Sequence, residues 1–299
     1  MIVEGAFLKL LWSLINDPFP DDVVEDTLRG NLIWGLHQEV TALNVGMPLL
    51  SGGIKAQYKY SGLSKKQPAW RADIYAKYQL GDNRYERYGF KPENWIEIKF
   101  FFGISRGRYK QDTTGNAAEI ARDLVRLCLL VEELPGKIGD KARYLLVVFN
   151  EEPRRYVAFA RRNGGENDRS RRERKWLCGI LQPGYWRGRF DLKDEPMSFR
   201  THLGDGFKED DHSLALDLDI TVHSWEPCAP STYDMHPLFW GYLVRINNFT
   251  VWLDDFGLKY FDKSRDAPDR WTEKEISAHQ SLIAQFSKYG VRRTVQDVD

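Results

Sequence analysis

At 299 residues the chain can bury a substantial core, as one elaborated domain or two small ones. Its 42% hydrophobic and 29% charged residues exclude a disordered or fibrous protein, and no apolar run reaches the length of a membrane span. Forty-three basic residues balance forty-three acidic ones, so overall charge argues neither for nor against a nucleic-acid partner.

Three widely spaced cysteines, Cys128, Cys178 and Cys228, form no CxxC pair, which leaves no signal for a zinc site or a disulfide framework. The first eighteen residues include a short apolar stretch but carry Glu4 and lack a basic start and a small-residue cleavage site. The expected location is therefore cytoplasmic.

In chain order, residues 21–45 read as a helix. Asp21 or Asp22 caps the start, Leu28, Leu32, Leu36, Val40 and Leu43 recur at helical spacing, and Gly46 with Pro48 ends the run. Residues 55–61 alternate as a strand. Two further strands follow, Trp70–Tyr78 and Asn94–Phe102, separated by a polar stretch containing Gly81-Asp82-Asn83.

A second helix is expected from Thr113 or Thr114 to Glu133, stopped by Pro135-Gly136. Residues 142–150 form a nearly continuous apolar run, as expected of a strand buried on both faces. Residues 155–160 offer one more strand. The polar stretch 163–212 has no clear period and reads as an insertion with loops and a short helix near 171–177. Strands are expected at 214–225 and 241–254, with Asn247-Asn248 as a tight hairpin turn, and a last helix at 272–289.

The chemistry concentrates on the two strands at 70–78 and 94–102. Successive strand side chains alternate faces, so Ile96, Ile98, Phe100 and Phe102 share one face and Trp95, Glu97, Lys99 and Phe101 the other. Glu97 and Lys99 then point the same way, about 7 Å apart. Asp73 is opposite in phase to Ala72, Ile74 and Ala76, so a hairpin would gather all three charges on one patch. Two carboxylates beside an ammonium can hold a divalent cation and stabilise an anionic transition state. A solvated sheet face with ordinary cross-strand pairs is the competing reading, but a strand as apolar as 96–102 is expected to be central, where burying a Glu and a Lys is costly.

These residues, in this order of elements, resemble the PD-(D/E)xK nuclease superfamily, the restriction-endonuclease-like fold. Its core is a helix, three strands, a helix and a strand, with an aspartate on the second strand and Glu-x-Lys on the third. Asp73 and Glu97-Ile98-Lys99 match those positions, and Ala72 stands where the motif's name has proline. The likeness covers roughly residues 25–150, about half the chain.

The resemblance implies an α/β protein with that core in residues 1–160 and a C-terminal α+β extension in 161–299. It implies a Mg²⁺-dependent endonuclease, with Mn²⁺ as a substitute, that hydrolyses phosphodiester bonds of double-stranded DNA in a restriction or defence role. Asp73, Glu97 and the backbone carbonyl of Ile98 would ligate the metal, Lys99 would orient water or stabilise phosphorus, and Glu39 on the first helix would assist. Many such nucleases act as homodimers, so that two sites cut two strands.

Outside the core, the stretch 154–175 holds nine Lys/Arg against three acids. Its Arg171, Arg172 and Arg174, together with Arg106, Arg108 and Lys110 just after the Glu97 strand, are candidate phosphate contacts. A non-catalytic nucleic-acid-binding or assembly module on the same fold is the alternative. Asp254-Asp255-Phe256-Gly257 carries a kinase-like Asp-Phe-Gly, but without a Gly-rich loop or His-Arg-Asp it signals no kinase. Asp217-x-Asp219 near His223 could be a metal pair, or simply the polar face of a strand whose Leu216, Leu218 and Ile220 point inward.

Overall fold

The computed structural model describes residues 2–16, 23–42, 53–60, 70–77, 91–101, 113–131, 137–138, 141–157, 160–161, 172–203, 214–227, 239–253, 256–259, 261–262 and 272–287. It opens with a helix that the sequence pattern did not announce, α1 (Ile2–Ile15). The segment is apolar nearly all round, so no helical stripe stands out from its background. Helix α2 (Glu25–Ala42) follows and packs on α1, with Gly35 against the backbone of Ala6.

Strands β1 (Ile54–Lys59), β2 (Arg71–Lys77) and β3 (Glu93–Phe101) form an antiparallel meander. Helix α3 (Thr113–Leu129) then crosses over, past the two-residue β4 (Lys137–Ile138), to β5 (Lys141–Phe149), which pairs parallel with β3. A parallel neighbour requires such a crossover. The expected helix, three strands, helix and strand are all present, each within a few residues of its expected bounds.

The next stretch departs further from expectation. Residues 153–155 make a single 3₁₀ turn instead of beginning a strand, and β6 (Ala160–Arg161) pairs with β7 (Arg172–Glu173). Helix α4 (Lys175–Ile180) precedes β8 (Gly184–Asp191), a full strand where no strand was expected. Gly184 and Gly188 dilute its alternation, yet Trp186 lies over Gly179 and Gly188, where any added Cβ would collide with the indole.

Helix α5 (Met197–Leu203) leads to β9 (Leu214–Trp225) and β10 (Trp240–Leu253). Asn247 and Asn248 do not turn the chain. They sit inside β10, where the register against β9 shifts between Ile246 and Asn248. This is a bulge, and Asn247 is satisfied there by donating to Asp219 Oδ1 (3.1 Å) and Thr221 Oγ1 (2.9 Å). The two polar residues fit a bulge as well as a turn, and the unbroken apolar flanks decide for the bulge. Short strands β11 (Phe256–Lys259) and β12 (Phe261–Asp262) and helix α6 (Glu273–Ser287) complete the described chain.

The strands make one mixed sheet in the order β1-β2-β3-β5-β10-β9-β8, with β11 also pairing with β10. The half beyond residue 160 is therefore continuous with the first half, because β10 pairs with β5 from Trp240 opposite Phe149 to Ile246 opposite Arg143. Helices α1 and α2 cover one face over Ile74, Ile96, Ile98, Leu146, Val148 and Leu243. Helices α3, α4 and α5 cover the other over Trp95, Phe101, Leu145, Val147 and Phe149. Strand β3 is thus central and sandwiched, as its apolar run predicts. Each fully buried aliphatic or aromatic side chain contributes roughly 1.5–3 kcal/mol. No helix among the described residues is long and apolar enough to cross a membrane.

Candidate functional site

The alternation of β3 sends Ile96 and Ile98 toward α1 and α2, and Trp95 and Phe101 toward α3. Glu97 shares the phase of Trp95. Ladder pairing between β2 and β3 runs from Lys77 opposite Glu93 to Ile74 opposite Ile96 and stops there. Beyond that point the strands part, and the Asp73 side chain takes over a backbone role. Its Oδ2 accepts from the Ile98 N–H at 2.8 Å. A carboxylate at this fork is anchored by main chain, which fixes its direction far better than a surface side chain's.

Asp73 Oδ1 accepts from Arg29 Nη2 at 2.8 Å and from Gln57 Nε2 at 3.0 Å. Arg29 comes from the first turns of α2 and Gln57 from the edge strand β1. Gln57 adopts φ +52°, a left-handed backbone that a non-glycine residue rarely takes. The strand pairs on either side of it, Ala56 with Ile74 and Tyr58 with Ala72, are intact.

Glu97 is 4% exposed and accepts a hydrogen bond from the Tyr60 hydroxyl. The Tyr60 ring stacks on Trp95 at 5.4 Å, and Tyr75 and Tyr58 extend the aromatic wall. Burial behind this wall, reinforced by the neighbouring carboxylates of Asp123 and Asp73, holds the Glu97 carboxyl well above its ordinary range. The Tyr60 hydroxyl is likewise pushed well up by burial and by Glu97.

Lys99 reaches the same cluster. Its Nζ lies 3.1 Å from Asp123 Oδ2, a contact of charges rather than an aligned hydrogen bond. Asp123 is fully buried on α3, and its Oδ1 accepts from Arg126 Nη1 at 3.2 Å. Arg126 also lies over the Trp70 ring, 5.1 Å from its centre. Burial alone would lower the Lys99 pKa, but Asp123, Glu119, Glu25 and Glu97 together raise it, so the ammonium stays charged.

Four carboxylates, Glu25, Asp73, Glu97 and Asp123, thus meet three cations, Arg29, Lys99 and Arg126. Glu25, in the first turn of α2, feels both Lys99 and Asp73 and is raised by burial.

Asp73, Glu97, Ile98 and Lys99 stand together at this fork. Glu39 does not join them. It pairs with Lys9 on α1 at 2.8 Å and lies against Gly5. It sits ten residues, about 15 Å of helix, beyond Arg29. Glu25 and Glu39 lie on nearly the same face of α2, being about four turns apart. Helical phase alone identified the face but not the end that meets the strands.

Arg174 is corrected as well. It is buried, and its Nε donates to both oxygens of Glu195 at 3.1 and 2.9 Å, so it faces no phosphate. Arg106, Arg108, Lys110 and Arg171 lie outside the described residues, as does the side chain of Arg172, whose backbone forms β7. Asp217 and Asp219 are the polar face of β9. Asp217 takes Trp252 and Arg189 as donors, Asp219 takes Tyr185 and Asn247, while Leu216, Leu218 and Ile220 are buried.

Sequence reasoning missed Glu25, Arg29, Gln57, Tyr60, Asp123 and Arg126. Asp123 left a readable trace: it is an acid inside the apolar stripe of Ile120, Ala121, Leu124 and Leu127. Comparison of the chain with protein-family models, curated proteins and solved structures finds no match.

Proposed function

We propose that this chain is a divalent-cation-dependent nuclease that hydrolyses phosphodiester bonds of DNA, built on a restriction-endonuclease-like core. The observation that carries the reading is the placement of Asp73 and Glu97 side by side where β2 and β3 part, with Lys99 two residues on, inside a central strand. The order helix, three strands, helix and strand, with β3 and β5 parallel, supports the same reading.

The donor set fits a hard cation. Asp73, Glu97 and the Ile98 carbonyl offer only oxygen, and Mg²⁺ or Mn²⁺ commonly takes one or two carboxylates and keeps several waters. No cluster of three or more His, Cys, Asp or Glu arranged as a metal cage occurs among the described residues. The site would therefore depend on water and a phosphate oxygen to complete the shell. When bound, the ion supplies charge neutralisation at the phosphate and a water of lowered pKa.

The protein's own residues do the rest. The Ile98 amide and Gln57 aim Asp73, Tyr60 aims Glu97, and Asp123 holds the Lys99 ammonium beside them. Lys99 offers a fixed positive charge and a proton donor to an attacking water or a phosphate oxygen. Catalysis of this kind is positioning and electrostatics.

Incubation with supercoiled plasmid and Mg²⁺ tests the reading. Nicking is expected from the wild type and a loss of about 10²-fold or more from Asp73→Asn, Glu97→Gln and Lys99→Met. Undiminished cleavage by all three folded variants would overturn it. A non-catalytic nucleic-acid-binding module is favoured by one observation: each carboxylate of the cluster already has a protein donor or cation beside it. A mobility shift without metal-dependent cleavage would identify that module.

A further inference from the structure

The charge partners of Asp73 set a condition on any cation that would use it. A carboxylate oxygen has two lone pairs, and Oδ1 already accepts two hydrogen bonds, from Arg29 at 2.8 Å and Gln57 at 3.0 Å. Oδ2 is tied to the Ile98 N–H at 2.8 Å. Arg29 does not lose its charge at any ordinary pH, so it cannot yield by deprotonation. Two like charges a few ångströms apart in a partly buried site, where water screens them poorly, repel each other strongly. A dication at either oxygen of Asp73 meets that opposition.

Arg29 has somewhere to go. Its Nη1 already pairs with Asp26, and its Nη2 lies 3.5 Å from Glu25. Both acids are in the first turn of α2, and Asp26 is 80% exposed at its side chain. Side-chain torsion alone would move the guanidinium from the fork to those acids. Gln57 remains behind to keep Asp73 oriented.

Resting on the nuclease reading of this site, we propose that Arg29 is the resident counter-ion of Asp73 and that a divalent cation binds by displacing it. Loading is then an exchange of one cation for another. The protein lacking a divalent ion stays folded because Arg29 satisfies Asp73, and the affinity for the ion is set below what the bare oxygens would give.

The test is calorimetric titration of Mn²⁺ into metal-free full-length wild type, Arg29→Gln and Asp73→Asn, with thermal melts of each. Arg29→Gln is expected to melt lower without metal, to bind Mn²⁺ about ten-fold or more tighter than wild type, and to gain more thermal stability from it. An Arg29→Gln protein that folds only when Mn²⁺ is added gives the same support, since the ion then takes the place of the missing counter-ion. Binding by wild type that Asp73→Asn abolishes but Arg29→Gln fails to tighten overturns the exchange and leaves the site reading standing. An Arg29→Gln protein that stays unfolded at every Mn²⁺ concentration also overturns it. No binding to any of the proteins removes both the site reading and the exchange.

Discussion

Glu97 is buried at a cost to the fold. Burial in an aromatic pocket, beside Asp123 and Asp73, holds its carboxyl well above the ordinary glutamate range. The folded state therefore keeps a proton that the unfolded chain releases near pH 4.5, and stability falls as pH rises from there toward the folded pKa. Glu97→Gln removes the penalty while keeping an acceptor for Tyr60. In metal-free buffer the variant is expected to melt above wild type at pH 8, with the gap closing toward pH 4.5. A gap of constant size across that range would contradict the assigned environment. Removing Asp123 is expected to destabilise the fold. It is the buried partner of Lys99 and Arg126, so Asp123→Ala strands two cations and is expected to cost roughly 3–5 kcal/mol in a denaturant titration.

At the scale of elements, legibility followed the contrast between a segment and its surroundings. Strand β5 and helix α3 announced themselves because an unbroken apolar run and an apolar stripe stand out from polar flanks. Helix α1 was illegible for the reverse reason, and β8 because its inward positions are Trp186, Gly188 and Phe190, one of them without a side chain. The motif on β2 and β3 was readable since alternation alone places Glu97 and Lys99. The residues that complete the site were not, because Arg29, Gln57 and Asp123 reach it from three other elements, and only pairing and packing decide that. The fit of Trp186 over two glycines is testable. Gly179→Ala or Gly188→Ala should displace the indole, cost about 1–3 kcal/mol and shift tryptophan emission.

For the whole molecule, the boundary near residue 160 that the motif's reach implied is crossed by the sheet itself. The first half holds every named residue of the site, but its last strand, β5, is buried on both faces and pairs with β10 along seven residues. A fragment ending at residue 160 would present that strand as a long apolar edge, a template for pairing with other chains. It is expected to aggregate rather than run as a folded monomer on a sizing column. A soluble, cooperatively melting fragment would show that the site-bearing half is independent after all. The second half thus borders β5, which in turn pairs with the site strand β3.

One hydrogen bond in this architecture has a spectroscopic use. The amide proton of Ile98 is given to the carboxylate of Asp73 instead of to a neighbouring strand. A charge-assisted bond of this kind deshields the proton, and its strength varies with whatever else draws on that carboxylate. The Ile98 resonance in a nitrogen–proton correlation spectrum is therefore a gauge built into the backbone. In ¹⁵N-labelled protein it reads the electrostatic state of the fork without a substrate or turnover.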